Sequence, residues 1–158
     1  GVHPFSWGNA PDAVCCDAVD GQGWDDNPRF FFTDTLNDYR EIMNQNGHNA
    51  VQMWLTEFGW ATWERFSSPV SQEWMTYTDE WEQGHYTVRA FELGLQRGDI
   101  AVMVLWNLNF ANETVVNASS EIAGYAIMPD IGIRPAFWLV HDAVRPPEQR
   151  LNRYDMRG

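Results

Sequence analysis

The sequence predicts an α/β fold of the (β/α)8 type, a partial TIM barrel made of three strand–helix units. Three observations carry that expectation. Short apolar runs alternate with stretches of helical periodicity. The segments after the strands are long and irregular, whereas those after the helices are tight. The run from Ile100 to Trp106 is apolar at every position, as a parallel strand covered on both faces is. In a barrel the loops after the strands build the active site, while the opposite end serves stability. A doubly wound sheet shows the same alternation, but its phosphate-binding form needs a Gly-rich turn, and the chain has no GxGxxG motif or P-loop. Three units are under half of eight, and a whole barrel takes ~250 residues. A bare three-stranded sheet would also leave two open edges. The expectation is therefore a barrel portion over 1–147, packing with a missing part of the barrel or another protein chain, followed by an Arg-bearing tail at 148–158.

In order, residues 1–5 read as the end of a strand, and 6–27 as a loop rich in Gly, Asn, Pro and Asp. A loop longer than ~12–15 residues is more often functional than idle. Asn27-Pro28 marks a helix start, Phe32, Leu36, Tyr39, Ile42 and Met43 follow at helical spacing, and Gly47 closes the helix. A strand is expected at 50–56, then an irregular loop over 61–77. Asp79 and Glu82 form a capping box for a helix whose packed face reads as Trp81, His85, Val88, Phe91 and Leu95, ended by Gly98. The third strand, 100–106, leads to a loop over 107–134 with a short extended piece at 124–128. Pro135 opens a last helix at 136–144, and Pro146-Pro147 stops it.

Composition narrows the function. A net charge of −12 argues against nucleic acid and anionic membrane surfaces, which both need basic patches. The longest apolar run is far short of the ~20 residues of a membrane span. All ten basic residues are Arg. Neighbouring cysteines rarely bridge, so Cys15 and Cys16 read as two free thiols, and no metal site is expected. Asp12, Asp17, Asp20, Asp25 and Asp26 share a loop but do not fit an EF-hand spacing. The compartment, extracellular or cytoplasmic, stays open.

The chemistry centres on Trp54-Leu55-Thr56-Glu57-Phe58-Gly59-Trp60. A carboxylate where a hydrophobic strand ends is costly unless used or paired. This motif resembles the seventh-strand motif of clan A glycoside hydrolases, the (β/α)8 retaining glycosidases, within their xylosidase- and cellulase-like branch. His3-Pro4-Phe5 is similar to the end of their sixth strand and Leu105-Trp106-Asn107 to the end of their eighth. Gln83-x-x-Tyr86-x-x-Arg89-Ala90-Phe91 and Arg134-Pro135-Ala136-Phe137 resemble the flanking helices, so the likeness places the chain in the C-terminal part of the barrel.

The resemblance implies an enzyme acting on O-glycosidic bonds, without a cofactor, with Glu57 as nucleophile. It implies substrate contacts from His3 and Trp106; Trp60, an aromatic in a loop after a strand, and Asn107, whose amide can bond a hydroxyl, are further candidates. Phe5 stands where relatives often have a Tyr supporting the nucleophile. Retaining hydrolysis needs a second carboxyl ~5–5.5 Å from the first. In the resembled families it follows an Asn upstream of the nucleophile; here the single Asn-Glu, Asn112-Glu113, comes too late in the chain. The acid/base is therefore expected on a missing N-terminal segment, and the chain alone is expected to be inactive. The alternative is a non-catalytic truncated barrel, a carbohydrate-binding or structural component of an assembly.

Overall fold

The computed structural model describes residues 1–16 and 27–149. Trp24, Asp17, Asp20, Asp25 and Asp26 lie outside the described residues, as does the tail beyond 149. The barrel expectation is overturned by the sheet. Among the described residues it has two strands, β1 (Met53–Phe58) and β2 (Ile100–Leu105), paired in parallel. Four α-helices accompany them: α1 (Phe32–Gln45), α2 (Glu80–Arg97), α3 (Glu113–Asn117) and α4 (Pro135–Ala143). The first expected strand is reduced to one bridge, Val2 to Leu55. Pro4 has no N–H to extend that ladder, and the Phe5 N–H turns back to the His3 carbonyl at 3.1 Å. Three strand–helix units of a barrel are therefore not evident among the described residues. The architecture is a small α/β domain.

Asn27 accepts from the Arg29 N–H and starts a short 3-10 turn, Pro28–Phe30, and α1 follows it. Gly47, at φ 76°, supplies the left-handed residue after α1. β1 starts three residues later than the sequence suggests, because the Val51 N–H closes a turn on the His48 carbonyl. The capping box of α2 forms as expected: the Asp79 carboxylate accepts from the Trp81 and Glu82 N–H groups, and Glu82 accepts from the Asp79 N–H.

Two packing expectations are corrected. The fully buried face of α2 is not the aromatic one; it comprises Glu80, Gln83, Gly84, Thr87, Ala90 and Gly94, and Leu95 is 85 % exposed. Close approach explains the choice: a Cβ on Gly84 would meet the Ala136 backbone and Leu139 of α4, and one on Gly94 would meet Met103. Nor is β2 covered on both faces. Ala101 and Val104 are exposed, and among the described residues β2 has a neighbouring strand on one edge only. Trp54, inside β1, is likewise exposed, and Cys15 and Cys16, expected as two free thiols, are joined in a disulfide.

Two hydrophobic clusters result. One lies between the sheet and the helices and is built on Phe32, Leu36, Met53, Leu55, Phe58 and Trp60. The other is made by the two loops after the strands, around Trp63, Trp74, Met75, Ala123 and Tyr125. The loop after β2 also contains α3, absent from the sequence reading, with Asn112 capping it by accepting from the Val115 N–H at 3.0 Å.

Candidate active site

The position of Glu57 follows from a slip in β1. Strict alternation from Met53 and Leu55 would turn residue 57 into the core. Leu55 pairs with Met103 and Phe58 with Leu105, however, so β1 carries one residue more than β2 across this stretch. The extra residue hands the core position to Phe58, which is fully buried, and leaves both Thr56 and Glu57 half-buried on the open side. Bulges beside active sites re-aim side chains in this way. Gly59 then lets the strand tips meet: a Cβ there would strike the Trp106 carbonyl oxygen, while the Trp106 N–H donates to the Phe58 carbonyl at 2.8 Å.

Glu57 opens into a cleft of about 760 Å³. Its walls are the aromatic rings of Phe5, Trp7, Trp74, Trp106 and Tyr125; Gln72, Glu121 and Ile122 complete it. His3 stands beside the nucleophile candidate, its Nδ1 3.6 Å from Glu57 Oε2, and its Nε2 is 2.9 Å from Thr56 Oγ1. Phe5 meets Tyr125 edge-on with centroids 5.2 Å apart, so the ring is a wall and brings no hydroxyl to Glu57. Trp7 lies between Phe30 at 3.9 Å and Trp74 at 5.1 Å, both stacked. Its φ of 47° is rare for a bulky residue, and the stack on both faces holds it there.

One buried cation ties the cleft-forming loops together. Arg134 is fully buried and donates to Glu80 Oε1, to the Gly124 and Ala126 carbonyls, and to the Thr62 carbonyl. Burial pushes its pKa down to about 10, against the opposing pull of Glu80. Glu80 also pairs with Arg65, and Gln83 donates to the Trp60 and Gly124 carbonyls. Tyr125 is displaced upward in pKa, first by burial and then by the charge of Glu121, so its phenol stays protonated.

The residues expected at the site separate into two groups. Glu57, His3, Phe5 and Trp106 come together at the cleft or its edge. Trp60 does not: it is 1 % exposed in the sheet-side core, and its indole N–H donates to the Asn9 carbonyl at 2.7 Å. Asn107 is buried with both ends of its amide engaged, donating to the Ile122 carbonyl and accepting from the Phe110 N–H. It shapes the loop that carries Glu121 and Tyr125. Sequence reasoning missed Gln72, Trp74, Glu121 and Tyr125 as cleft residues. They sit in aperiodic segments; the density of aromatics in 61–77 hinted at Trp74, and nothing marked Glu121 or Tyr125. Glu113, rejected as acid/base, begins α3 and does not line the cleft.

Among the described residues, no group of three or more His, Cys, Asp or Glu is placed to hold a metal ion. No helix there is long and apolar enough to cross a membrane. No family model, curated protein or solved structure matches the chain, so the functional reading stands on the site's own residues.

Proposed function

We propose that this chain supplies the nucleophile side of a retaining glycoside hydrolase site. The observation that carries the reading is Glu57, re-aimed by the extra residue of β1 into an aromatic-walled cleft. Aromatic faces suit the C–H patches of a pyranose, and a few placed polar groups fix its orientation. In the reaction a Glu57 oxygen attacks the anomeric carbon, and the bond from that carbon to the leaving oxygen breaks. The leaving oxygen takes a proton from a second carboxyl, and water later cleaves the glycosyl ester and restores Glu57. His3, at 3.6 Å, orients the carboxylate from the side.

Among the described residues no second carboxyl stands enclosed beside Glu57, and on this reading it comes from a further segment or another chain. Glu121 shares the cleft but is exposed, without the apolar enclosure that keeps a general acid protonated. That exposure also favours a second reading, a carbohydrate-binding component without catalysis. A fluorinated mechanism-based glycoside separates the two. Under the hydrolase reading it forms an ester on the peptide containing Glu57, and Glu57→Gln lowers turnover by roughly a thousand-fold or more, ~4 kcal/mol of barrier. An enzyme labelled elsewhere, with full activity in Glu57→Gln, sinks the assignment. Tight sugar binding with no cleavage supports the binding component.

A further inference from the structure

We propose that the Glu57 cleft recognises a neutral glycoside through Tyr125 and Glu121 and rejects the uronic-acid counterpart. This rests on the glycoside reading above and sharpens it to a substrate class. Tyr125 is only 8 % exposed and lines the cleft, yet its hydroxyl has no hydrogen-bond partner among the described residues. The ring is packed while the hydroxyl is not among the buried unpaired atoms, so it reaches the cleft, where a ligand hydroxyl can replace water as its partner. Its raised pKa keeps it a donor, and Glu121 lies close enough for its charge to be felt at that oxygen.

Together the Tyr125 hydroxyl, the Glu121 carboxylate and the Gln72 amide offer a donor, a strong acceptor and a group that is both. That set matches neighbouring sugar hydroxyls, which donate well to a carboxylate. The charge pattern is one-sided. Among the described residues, Glu57 and Glu121 line the cleft and no Arg or His does, while the chain contains no Lys. His3 touches Glu57 but lines the adjoining pocket. A ligand carboxylate would sit beside two like charges without a counter-cation to offset its desolvation.

Binding is measured by calorimetry on the intact protein with p-nitrophenyl β-D-glucoside, β-D-galactoside and β-D-xyloside, and with the β-D-glucuronide and β-D-galacturonide. At least one neutral glycoside is expected to bind, and its uronide at least tenfold more weakly, a gap of about 1.4 kcal/mol. Salt should narrow the gap, since like-charge repulsion is screened. Tyr125→Phe keeps the ring and its packing and weakens neutral binding about five- to tenfold. Glu121→Gln brings the uronide at least threefold closer to its neutral partner. Uronides bound as tightly as neutral glycosides, no neutral glycoside bound, or a ratio unchanged in Glu121→Gln each overturns the proposal. Neutral-selective binding without cleavage or labelling of Glu57 removes the hydrolase reading and leaves this one standing. Cleavage of uronides as fast as neutral glycosides does the reverse.

Discussion

The two clusters of this molecule are held by different physics. Between sheet and helices, apolar side chains arrive at helical and strand periods and exclude water: Phe32, Leu36, Leu55 and Phe58 are all fully buried. In the loop layer, irregular backbone carries carbonyls that no ladder satisfies, and buried polar side chains must answer them. Arg134 and Gln83 do so, alongside Trp74, Met75 and Tyr125. A periodic core needs little more than hydrophobicity and fit, whereas a loop core needs specific donors. The cleft lies where the two meet, with Glu57 on a strand and most of its walls on loops.

The largest way to break that contrast is Arg134→Met. Glu80 would keep only the partly exposed Arg65 as a charge partner, and the Ala126 and Thr62 carbonyls would lose their donor, while Gly124 keeps Gln83. Breaking a buried ion pair costs about 3–5 kcal/mol, read as a fall in the urea unfolding midpoint. If the loops merely drape over the sheet, global stability holds and only amide exchange in 61–77 and 107–134 rises. Leu36→Ala tests the other cluster, with about 2–5 kcal/mol expected for a large-to-small change in a packed core. Its loss should appear as one cooperative transition, with any ligand binding by the surviving folded fraction unaltered.

Gly59→Ala acts at the junction. The added methyl has only the Trp106 carbonyl to push against, so about 1–3 kcal/mol is expected from overpacking. Because Glu57 and Trp106 move apart with it, sugar binding in calorimetry should fall further than stability does.

Asp99→Asn gives the smallest effect and isolates the sheet side by pH. Burial tends to raise the Asp99 pKa, but hydrogen bonds and charge from Arg97 and Arg40 outweigh it and leave it below the usual 3.8. A carboxylate lowered on folding stabilises above its unfolded pKa, and that contribution fades as pH falls through the folded value. The stability gap between wild type and Asp99→Asn should therefore be full at neutral pH and close below pH ~4. A gap that widens in acid contradicts the pairing.

How far the molecule was legible in its sequence follows the same division. The capping box at Asp79 and Glu82, the Gly47 and Gly98 stops and the Pro135 helix start all rest on local rules, and all formed. The count of strands did not, because one Pro and one turned N–H reduce residues 1–5 to a bridge. The buried face of α2 was misread because close helix packing selects small residues over aromatic ones. Glu57 was visible through its motif, yet the reason it faces the cleft, a one-residue excess over β2, depends on a partner strand about fifty residues away in register and cannot be read from β1 alone. Glu121 and Tyr125 carried no pattern at all.

Arg134 also sets the rules for redesign. Its acceptors come from the segment after β1, the start of α2 and the segment after β2. A chimaera that transplants one of these loops from another protein would bring carbonyls in the wrong places and strand the guanidinium in the interior. Loop exchange aimed at a new specificity has to move both loops and the arginine as a single cassette, or else confine its changes to the cleft-lining side chains.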